Sequence, residues 1–270
     1  IVLNFELLDP ESGPSLAQSL SQAAVPVSDH GHTFAIPTCL TIMARQRCPM
    51  ECQQPAHHTG IFRMLVTPEL LGTFPSLKPL PLPLLQQLAQ QSTVQRFARR
   101  GVVLKAGVRE ESVCFLFEGR LQGVDFTIDG REVGLYFVEP GDFCGELGMF
   151  DDGPQPEHVI ALTSAMVVFV PLASLRQVTR EHAVLLQRMG ERLAARGRQM
   201  TRQRSLLGLP NVGQRVCCQL WMLIPESGRS EGNQTIIRNP PTHMEIAIML
   251  SLSRESVSRV FQLLQAREIV

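Results

Sequence analysis

The sequence predicts an α+β fold in which a β-roll of the jelly-roll type is followed by a long helix and a helix-turn-helix domain. Three observations support this fold class. Short β-prone runs separated by glycines fill residues 94–171, residues 172–207 contain no proline, and residues 241–265 have the pattern of two short helices joined by a tight turn. Many short strands with glycine-rich turns are typical of β-sandwiches and barrels. The predicted domains are an irregular extension over 1–75, the roll over 76–172, the long helix and hinge over 173–208, and the helix-turn-helix domain over 209–270.

Charge is distributed unevenly along the chain. The formal net charge of the 270 residues is zero, but residues 181–270 hold twelve arginines, seven glutamates and no lysine or aspartate. A basic segment of this kind favours an anionic partner such as DNA. The richest apolar run, residues 165–171, is far shorter than the ~20 residues of a membrane span, and the start lacks a signal-peptide pattern. We therefore expect a cytoplasmic protein with no membrane partner.

The extension is rich in proline, serine and glutamine and shows little periodicity, which predicts mostly irregular structure. Its cysteines and histidines could supply ligands to a metal ion or an iron–sulfur cluster. These residues are Cys39, Cys48, Cys52, His57 and His58. The C-x8-C-x3-C spacing matches neither zinc fingers nor the common cluster patterns. Reduced thiols scattered in a flexible arm remain the alternative, and the odd total of seven cysteines fits a reduced protein better than a disulfide framework.

A short helix is predicted over 81–91, near the start of the roll domain, and it tolerates Pro83 near its start. Asp129-Gly130 between two β-prone runs predicts a hairpin. The segment Gly145-Glu146-Leu147-Gly148 follows a later strand. Glycines that open a short helix leave backbone N–H groups free for a phosphate, and a carboxylate there can accept a hydrogen bond from a sugar hydroxyl. Taken alone, the tetrapeptide could equally be a simple turn.

The proline-free stretch predicts a dimerisation helix. Apolar residues fall near the a and d positions of a heptad, and they are Leu186, Met189, Leu193, Met200 and Leu207. Such a series is typical of a coiled-coil seam. Arg196 and Gln203 interrupt it, so a helix packed only on its own domain is the alternative. After a hinge at 208–211, residues 212–223 predict a further helix with Cys217, Cys218 and Trp221 on or near its buried side.

The two C-terminal helices have clear start signals. Thr242 and Glu245 have the spacing of a capping box, and Ser253 is the N-cap candidate of the second helix. The apolar residues of both helices recur at helical spacing, which predicts one shared core. These residues are Ile246, Ala247, Leu250, Val257, Val260, Phe261 and Leu264.

The outer face of the second helix carries Arg254, Glu255, Ser258 and Arg259. In a helix-turn-helix this end of the second helix enters the major groove. Arginine can donate two hydrogen bonds to guanine, and glutamate can accept one from cytosine. We add the two capping residues, Thr242 and Ser253, to the predicted DNA contacts. The alternative is an ordinary solvated face of a helical hairpin.

From about residue 76 to 270, the order of these motifs resembles the cyclic-AMP receptor protein and FNR (CRP/FNR) family of bacterial transcription regulators. The resemblance implies a cyclic-nucleotide-binding type of roll, a homodimer, and double-stranded DNA and RNA polymerase as partners. It implies roles for Gly145, Glu146 and Leu147 at the ribose and phosphate of cyclic AMP, and for Thr201 at the base. Arg254, Glu255 and Arg259 match the pattern that recognises a TGTGA half-site, and Ser258 resembles the FNR pattern for TTGAT. A palindromic operator with a TGA-like core is therefore expected.

The sequence also departs from this family pattern. Pro156 and Glu157 stand where cyclic-AMP binders have an Arg-Ser pair. Because a proline cannot donate a hydrogen bond and a glutamate repels a phosphate, this pair argues against cyclic AMP. The roll is then empty, a site for another ligand, or a scaffold. The chain stops at Val270, just before the β-hairpin wing expected in the family, so we predict a domain without its wing.

An FNR-like sensor of oxygen is the alternative source of the signal. In that family, cysteines near the N-terminus and a later cysteine in the roll hold an iron–sulfur cluster. The position of the later ligand is Val168 here, which leaves Cys114 or Cys144 as substitutes.

The predicted function is a homodimeric DNA-binding transcription regulator controlled by a signal at the roll or the extension. Two other classes compete with it. One is a ligand-binding module whose C-terminal helices bind another protein. The other is an enzyme with a metal site at His57 and His58, but no nucleophile motif, paired carboxylates or nucleotide-binding loop supports catalysis.

Overall fold

The computed structural model describes residues 2–4, 65–224, 230–231, 234–237 and 239–270. The predicted metal ligands Cys39, Cys48 and Cys52 lie outside these residues. The strands are β1 (Val2–Asn4), β2 (Thr93–Phe97), β3 (Val102–Leu104), β4 (Ser112–Glu118), β5 (Leu121–Phe126), β6 (Glu132–Val138), β7 (Phe143–Cys144), β8 (His158–Ala161), β9 (Ala165–Pro171), β10 (Ser230–Glu231) and β11 (Gln234–Ile236). The helices are α1 (Pro68–Gly72), α2 (Leu82–Gln91), α3 (Gly148–Asp151), α4 (Leu172–Glu181), α5 (Ala183–Leu207), α6 (Val212–Met222), α7 (His243–Leu250) and α8 (Arg254–Ala266).

Two four-stranded antiparallel sheets form the roll, with strand orders β2-β9-β4-β7 and β3-β8-β5-β6. Side chains alternate along β4, so the first sheet contributes to two separate hydrophobic cores, one on each of its faces. Cys114 and Leu116 point into the space between the sheets, whereas Val113 and Phe115 point to the outer face. This period of two is what a strand buried on both faces requires. The jelly-roll prediction is therefore confirmed.

The outer core of the roll, which lies on the outer face of the first sheet, is covered by helices that precede and follow the strands in the sequence. Leu71 and Phe74 are buried there, and the Phe74 ring lies 5.2 Å from that of Phe115. The prediction of irregular structure through residue 75 is thus wrong for residues 65–75. Thr67 caps α1 by accepting a hydrogen bond from the Leu70 amide, and a proline in the first turn favours the helical start. Short local signals of this kind are hidden by the proline and serine content around them.

The proline-free stretch from 172 to 207 is not one helix. The backbone leaves the helical region at His182, with φ −125° and ψ 81°, and α4 and α5 meet there. Leu175, Leu185 and Met189 are fully buried in the same outer core. The break lets both helices bury apolar side chains on the roll, so the long helix starts at residue 183.

The C-terminal domain has its own core, formed by α6, α7, α8 and Ile237. Val216, Leu250 and Val257 are fully buried, and each such side chain contributes about 1.5 to 3 kcal/mol through the hydrophobic effect. Trp221 is 62 % exposed, so its predicted place near the buried side is wrong. The inner stripe of α6 runs through Val216 and Leu220 instead. In the described part of the chain, no helix is both long and apolar enough to cross a bilayer.

Helix α7 of this domain also packs against the roll. Met249, near the end of α7, is buried among Val124, Phe137, Ile160 and Leu162. At Gly134 in β6, an added Cβ atom would come within 2.7 Å of the Met249 sulfur. The missing side chain at this position therefore allows the close approach of α7 to the sheet. Arg120 adds a polar contact by donating a 2.5 Å hydrogen bond to the Asn239 carbonyl oxygen.

Candidate nucleic-acid interface and effector site

The start of α7 has the predicted capping box. Thr242 Oγ1 accepts a hydrogen bond of 3.3 Å from the Glu245 amide, and Glu245 Oε2 accepts one of 2.9 Å from the Thr242 amide. Two backbone donors that have no partner inside the helix are thereby satisfied. The prediction is confirmed, and the hydroxyl of Thr242 is engaged in the cap.

A tight turn then sets the angle between α7 and α8. Ser251 adopts the left-handed conformation with φ 52°, and the Leu252 amide donates to the Ala247 carbonyl oxygen at 2.9 Å. The left-handed residue and this hydrogen bond together end α7. Ser253 starts α8 at once, because its Oγ accepts a 3.2 Å hydrogen bond from the Ser256 amide. The second predicted cap is confirmed as well.

The outer face of α8 carries the predicted base-contacting residues. Arg254, Glu255 and Arg259 are exposed, and Ser258 is half-buried. All four apolar positions predicted for this helix are buried, and they are Val257, Val260, Phe261 and Leu264. The arginines and the glutamate therefore share one surface close to the N-terminal end of the helix.

Ser258 has a partner that the sequence did not indicate. Its Oγ lies 2.9 Å from His243 Nδ1, and the imidazole ring stacks on Phe261 with a centroid distance of 4.3 Å. The stack fixes the ring, and the ring in turn orients the hydroxyl. His243 belongs to α7, so only the angle between the two helices brings it to Ser258. No spacing pattern along the sequence could have found this pair.

In the roll, the predicted effector residues lie after β7. Gly145 has φ 78°, and an added Cβ atom would lie 3.0 Å from Leu104 Cδ1. A glycine is therefore needed at this position. Glu146 is only 1 % exposed, and Leu147 is half-buried at the start of α3. The glutamate side chain thus points into the protein.

Arg196 on α5 occupies the space next to Glu146. Its Nη1 lies 2.5 Å from Glu146 Oε1, and its Nη2 donates to the Phe143 carbonyl oxygen at 2.6 Å. The guanidinium also lies over the ring of Tyr136, 4.5 Å from its centroid. Burial raises the pKa of Glu146, and the charge of Arg196 opposes that rise. The arginine that interrupted the predicted heptad therefore faces its own domain.

Glu157, at the position of the missing phosphate clamp, is buried as well. Its Oε1 accepts hydrogen bonds from the Tyr136 hydroxyl and, at 2.8 Å, from Gln155 Nε2. Burial, and next the negative charge of Glu157, raise the pKa of Tyr136 well above its usual value. The phenol therefore remains a hydrogen-bond donor, and Glu157 has the partners that a buried carboxylate requires.

Thr201 is not brought to this network within the chain. It is exposed on α5, and its Oγ1 donates a 3.0 Å hydrogen bond to the Gly197 carbonyl oxygen. Cys114 and Cys144 lie opposite each other on β4 and β7, and both are fully buried. Across the residues that the structure describes, no group of three or more His, Cys, Asp or Glu side chains has the arrangement of a metal site.

Comparison with known proteins assigns both halves of this architecture. The family model for the cyclic nucleotide-binding domain matches residues 94–182, and the model for the Crp-like helix-turn-helix domain matches residues 214–270. The cAMP-activated global transcriptional regulator CRP of Pasteurella multocida is 26 % identical over 204 residues, which is 74 % of this chain and 94 % of that protein. This chain belongs to the CRP/FNR family. It is a DNA-binding transcription regulator.

A second curated relative agrees with this CRP/FNR assignment, and a solved structure shares the fold. The cAMP-activated global transcriptional regulator Vfr of Pseudomonas aeruginosa is 29 % identical over 183 residues, covering 65 % of this chain and 84 % of Vfr. The solved structure of the c-di-GMP responsive global regulator CLP of Xanthomonas campestris has the same fold, with a TM-score of 0.56 at 22 % identity over 70 % of this chain and 93 % of CLP.

Proposed function

We propose that this CRP/FNR regulator acts as a homodimer that recognises a palindromic operator with α8. The observation that carries the proposal is the capped helix whose exposed N-terminal half presents Arg254, Glu255 and Arg259 together. Arginine and glutamate can distinguish guanine and cytosine edges in the major groove. Ser258, oriented by His243, lies beside them. In this proposal Thr242 and Ser253, at the two helix starts, contact the DNA backbone.

The dimer is supported by the outward face of α5. Met189, Arg196 and Gln203 are buried against the same chain. The side chains beside them on α5 face outward, and successive members of this stripe are alternately four and three residues apart. This seam consists of Leu186, Gly190, Leu193, Gly197, Met200, Arg204 and Leu207. Leu186 and Met200 are 44 % and 41 % exposed. The 4-3 spacing is that of a helix that packs against a second helix.

The two glycines strengthen this argument. A Cβ atom added at Gly190 or Gly197 would meet no atom within 4 Å. Glycine in a helix interior costs about 1 kcal/mol relative to alanine, and nothing in the described chain accounts for that cost. The close approach of a second α5 helix would give both glycines a function. RNA polymerase is the further partner expected of such a regulator, and binding to bacterial operators implies action in the cytoplasm.

The path of the signal is proposed to run along α5. This helix contacts the roll through Arg196 and the end of α7 through Gln203. A change at either end can shift how the two α5 helices pair, and hence the separation of the two recognition helices. Productive binding needs them about 34 Å apart, one turn of DNA. β1 also pairs with β11 in the C-terminal domain, so the extension is a second route for the signal.

The test is selection of bound sequences from a random DNA pool, with and without oxygen and with and without cyclic AMP. We expect a palindrome with a TGA-like core to be enriched. Inserting about five base pairs between the half-sites should abolish tight binding, since the second half-site then faces the opposite side of the duplex, whereas about ten should preserve its facing. Enrichment without symmetry would reject the dimer. No enrichment under any condition would favour a protein-interaction module.

A further inference from the structure

At the predicted effector site of the roll, Glu146 is paired with Arg196, and Glu157 accepts hydrogen bonds from neighbouring side chains. We propose that this regulator binds its operator without a cyclic nucleotide, with the Arg196–Glu146 ion pair in the place of the ligand. The inference rests on the proposed function and names how the same site is controlled. It separates this chain from the relatives that are named as cAMP-activated.

The first step concerns the phosphate of a cyclic nucleotide, which needs hydrogen-bond donors or a cation. Pro156 has no N–H group to donate. Glu157 is 7 % exposed, and its carboxylate would lie in a region of low dielectric, where repulsion between like charges is strong. The two donors close to it, Tyr136 and Gln155, already bind Glu157. The site therefore excludes a phosphodiester.

The second step concerns Arg196, the cation that is paired with Glu146. Both of its terminal nitrogens are occupied, one by Glu146 and the other by the Phe143 carbonyl oxygen. A phosphate could recruit this arginine only by leaving Glu146 buried without its counter-ion, which is strongly unfavourable. Binding of the phosphate would thus break the pair that keeps the site together.

The third step concerns two atoms that lack a partner. Glu146 Oε2 and Arg196 Nε are both buried and form no hydrogen bond with the described residues. A sugar hydroxyl could satisfy both in principle. Neither atom is accessible, however, so a ligand could reach them only after Arg196 has moved away from Glu146. The intact Arg196–Glu146 pair and a bound sugar therefore exclude each other.

The Arg196–Glu146 ion pair connects the roll to α5, as a bound ligand would. Phe143 and Glu146 lie on either side of the Gly145 turn, and Arg196 holds both of them to α5. The same helix reaches the end of α7 two turns later, through Gln203. The roll, the long helix and the DNA-binding domain are thus connected by side chains of the protein itself.

The first experiment measures binding to the selected palindrome by fluorescence anisotropy, with saturating cyclic AMP or cyclic GMP and without either. We expect the operator Kd to change by less than about twofold, against the ~5- to 150-fold shift typical of an allosteric effector. Calorimetric titration with each nucleotide should show no saturable heat. A fivefold or larger gain in affinity would overturn the inference and leave the proposed function intact. Absence of operator binding in every condition would instead reject the proposed function.

The second experiment restores the missing clamp. Pro156→Arg combined with Glu157→Ser should create binding of cyclic AMP that is at least about tenfold tighter than that of the wild type. Glu157→Gln alone is the matched control, since it removes the charge and keeps an acceptor for Tyr136. Thermal melts identify which variants fold. Equal nucleotide binding by the wild type and a folded double variant would show that these residues do not exclude the ligand.

The third experiment tests Arg196 as a positioning residue. Arg196→Met should weaken operator binding by about tenfold or more at temperatures where the variant is fully folded, and cyclic AMP should not restore it. Arg196→Lys retains the charge and should recover part of the affinity. Arg198→Met, at an exposed position on the same helix, is the control. Unchanged operator affinity in folded Arg196→Met would overturn the proposed role of the pair.

Discussion

Gln203 on α5 donates a 2.7 Å hydrogen bond from Nε2 to the carbonyl oxygen of Met249, near the end of α7. Carbonyl groups in the last turn of a helix have no partner within that helix, so the buried amide completes the end of α7. Gln203 lies seven residues after Arg196, which places both side chains on one face of α5. One face of a single helix therefore contacts the roll and the DNA-binding domain.

Replacement of Gln203 with alanine tests this connection. The variant loses a buried hydrogen bond, and the Met249 carbonyl oxygen is left without its partner. We expect the free energy of unfolding to fall by about 1 to 3 kcal/mol, measured by urea titration of the full chain. Gln187→Ala, on the exposed side of the same helix, should change it by less than about 0.5 kcal/mol. Equal effects of the two substitutions would contradict the structural role.

Replacing a glycine in the seam on the outer face of α5 should affect the stability of the single helix and the stability of the dimer in opposite directions. Gly197→Ala stabilises an unpaired helix by up to about 1 kcal/mol, because alanine has the higher helix propensity. If a second helix packs closely at this position, the added methyl group weakens the dimer. We expect the dissociation constant of the dimer to rise, measured by analytical ultracentrifugation across a dilution series. A more stable protein with an unchanged dimer would place the interface elsewhere.

The long helix shows why sequence spacing alone left the partner of each residue open. Met189 satisfies the heptad series as well as Leu186 does, but it is fully buried on the roll, and Leu186 is exposed. Two neighbouring stripes of one helix share the same period. Only the packing of α5 on the roll selects which stripe faces inward. Arg196 and Gln203, which interrupt the predicted heptad series, therefore lie on the inward stripe.

Thr242 tests the capping box of α7. Thr242→Ala removes the acceptor of the Glu245 amide, and we expect a loss of about 0.5 to 2 kcal/mol in the free energy of unfolding. Thr242→Ser retains the hydroxyl and should recover most of the loss. Chemical denaturation followed by circular dichroism measures both variants. A loss of operator affinity in the fully folded serine variant would show that the methyl group of Thr242 has a separate role at the DNA.

The helix-turn-helix could be predicted in detail because its signals are local. The caps at Thr242 and Ser253 and the buried positions of α8 depend on spacings of three and four residues. The His243 to Ser258 contact depends on the angle between two helices. The network of Glu146 and Glu157 depends on α5 and β6, which are distant in the sequence. Local capping was therefore within reach of sequence reasoning, and these contacts were not.

Cys217 on α6 gives a prediction for the pH dependence of stability. Burial raises the pKa of its thiol to about 11, and the neighbouring Cys218 adds to the rise. Between pH 9 and 11 the unfolded chain loses this proton and the folded chain keeps it, so the folded form is progressively disfavoured as the pH rises. The free energy of unfolding should fall over this window by at most about 2 to 3 kcal/mol more in the wild type than in Cys217→Ala. Parallel curves for the two proteins would show that the thiol titrates normally.

Arg259 provides the decisive test of the recognition surface. If its guanidinium makes two hydrogen bonds to a guanine, Arg259→Ala should weaken binding to the operator by about 1 to 3 kcal/mol and binding to random DNA by much less. Competition titrations with labelled operator and unlabelled random duplex measure both affinities at one salt concentration, because phosphate contacts depend on ionic strength.

Arg267→Ala is the matched control, since it removes the same charge from the residue that follows the opposite end of α8. We expect this substitution to leave the ratio of operator to random affinity unchanged. Equal losses on both DNAs for Arg259→Ala would mean that this arginine contacts phosphate. In that case the base contacts would have to come from Arg254 and Glu255, and the same competition with their alanine variants would locate them.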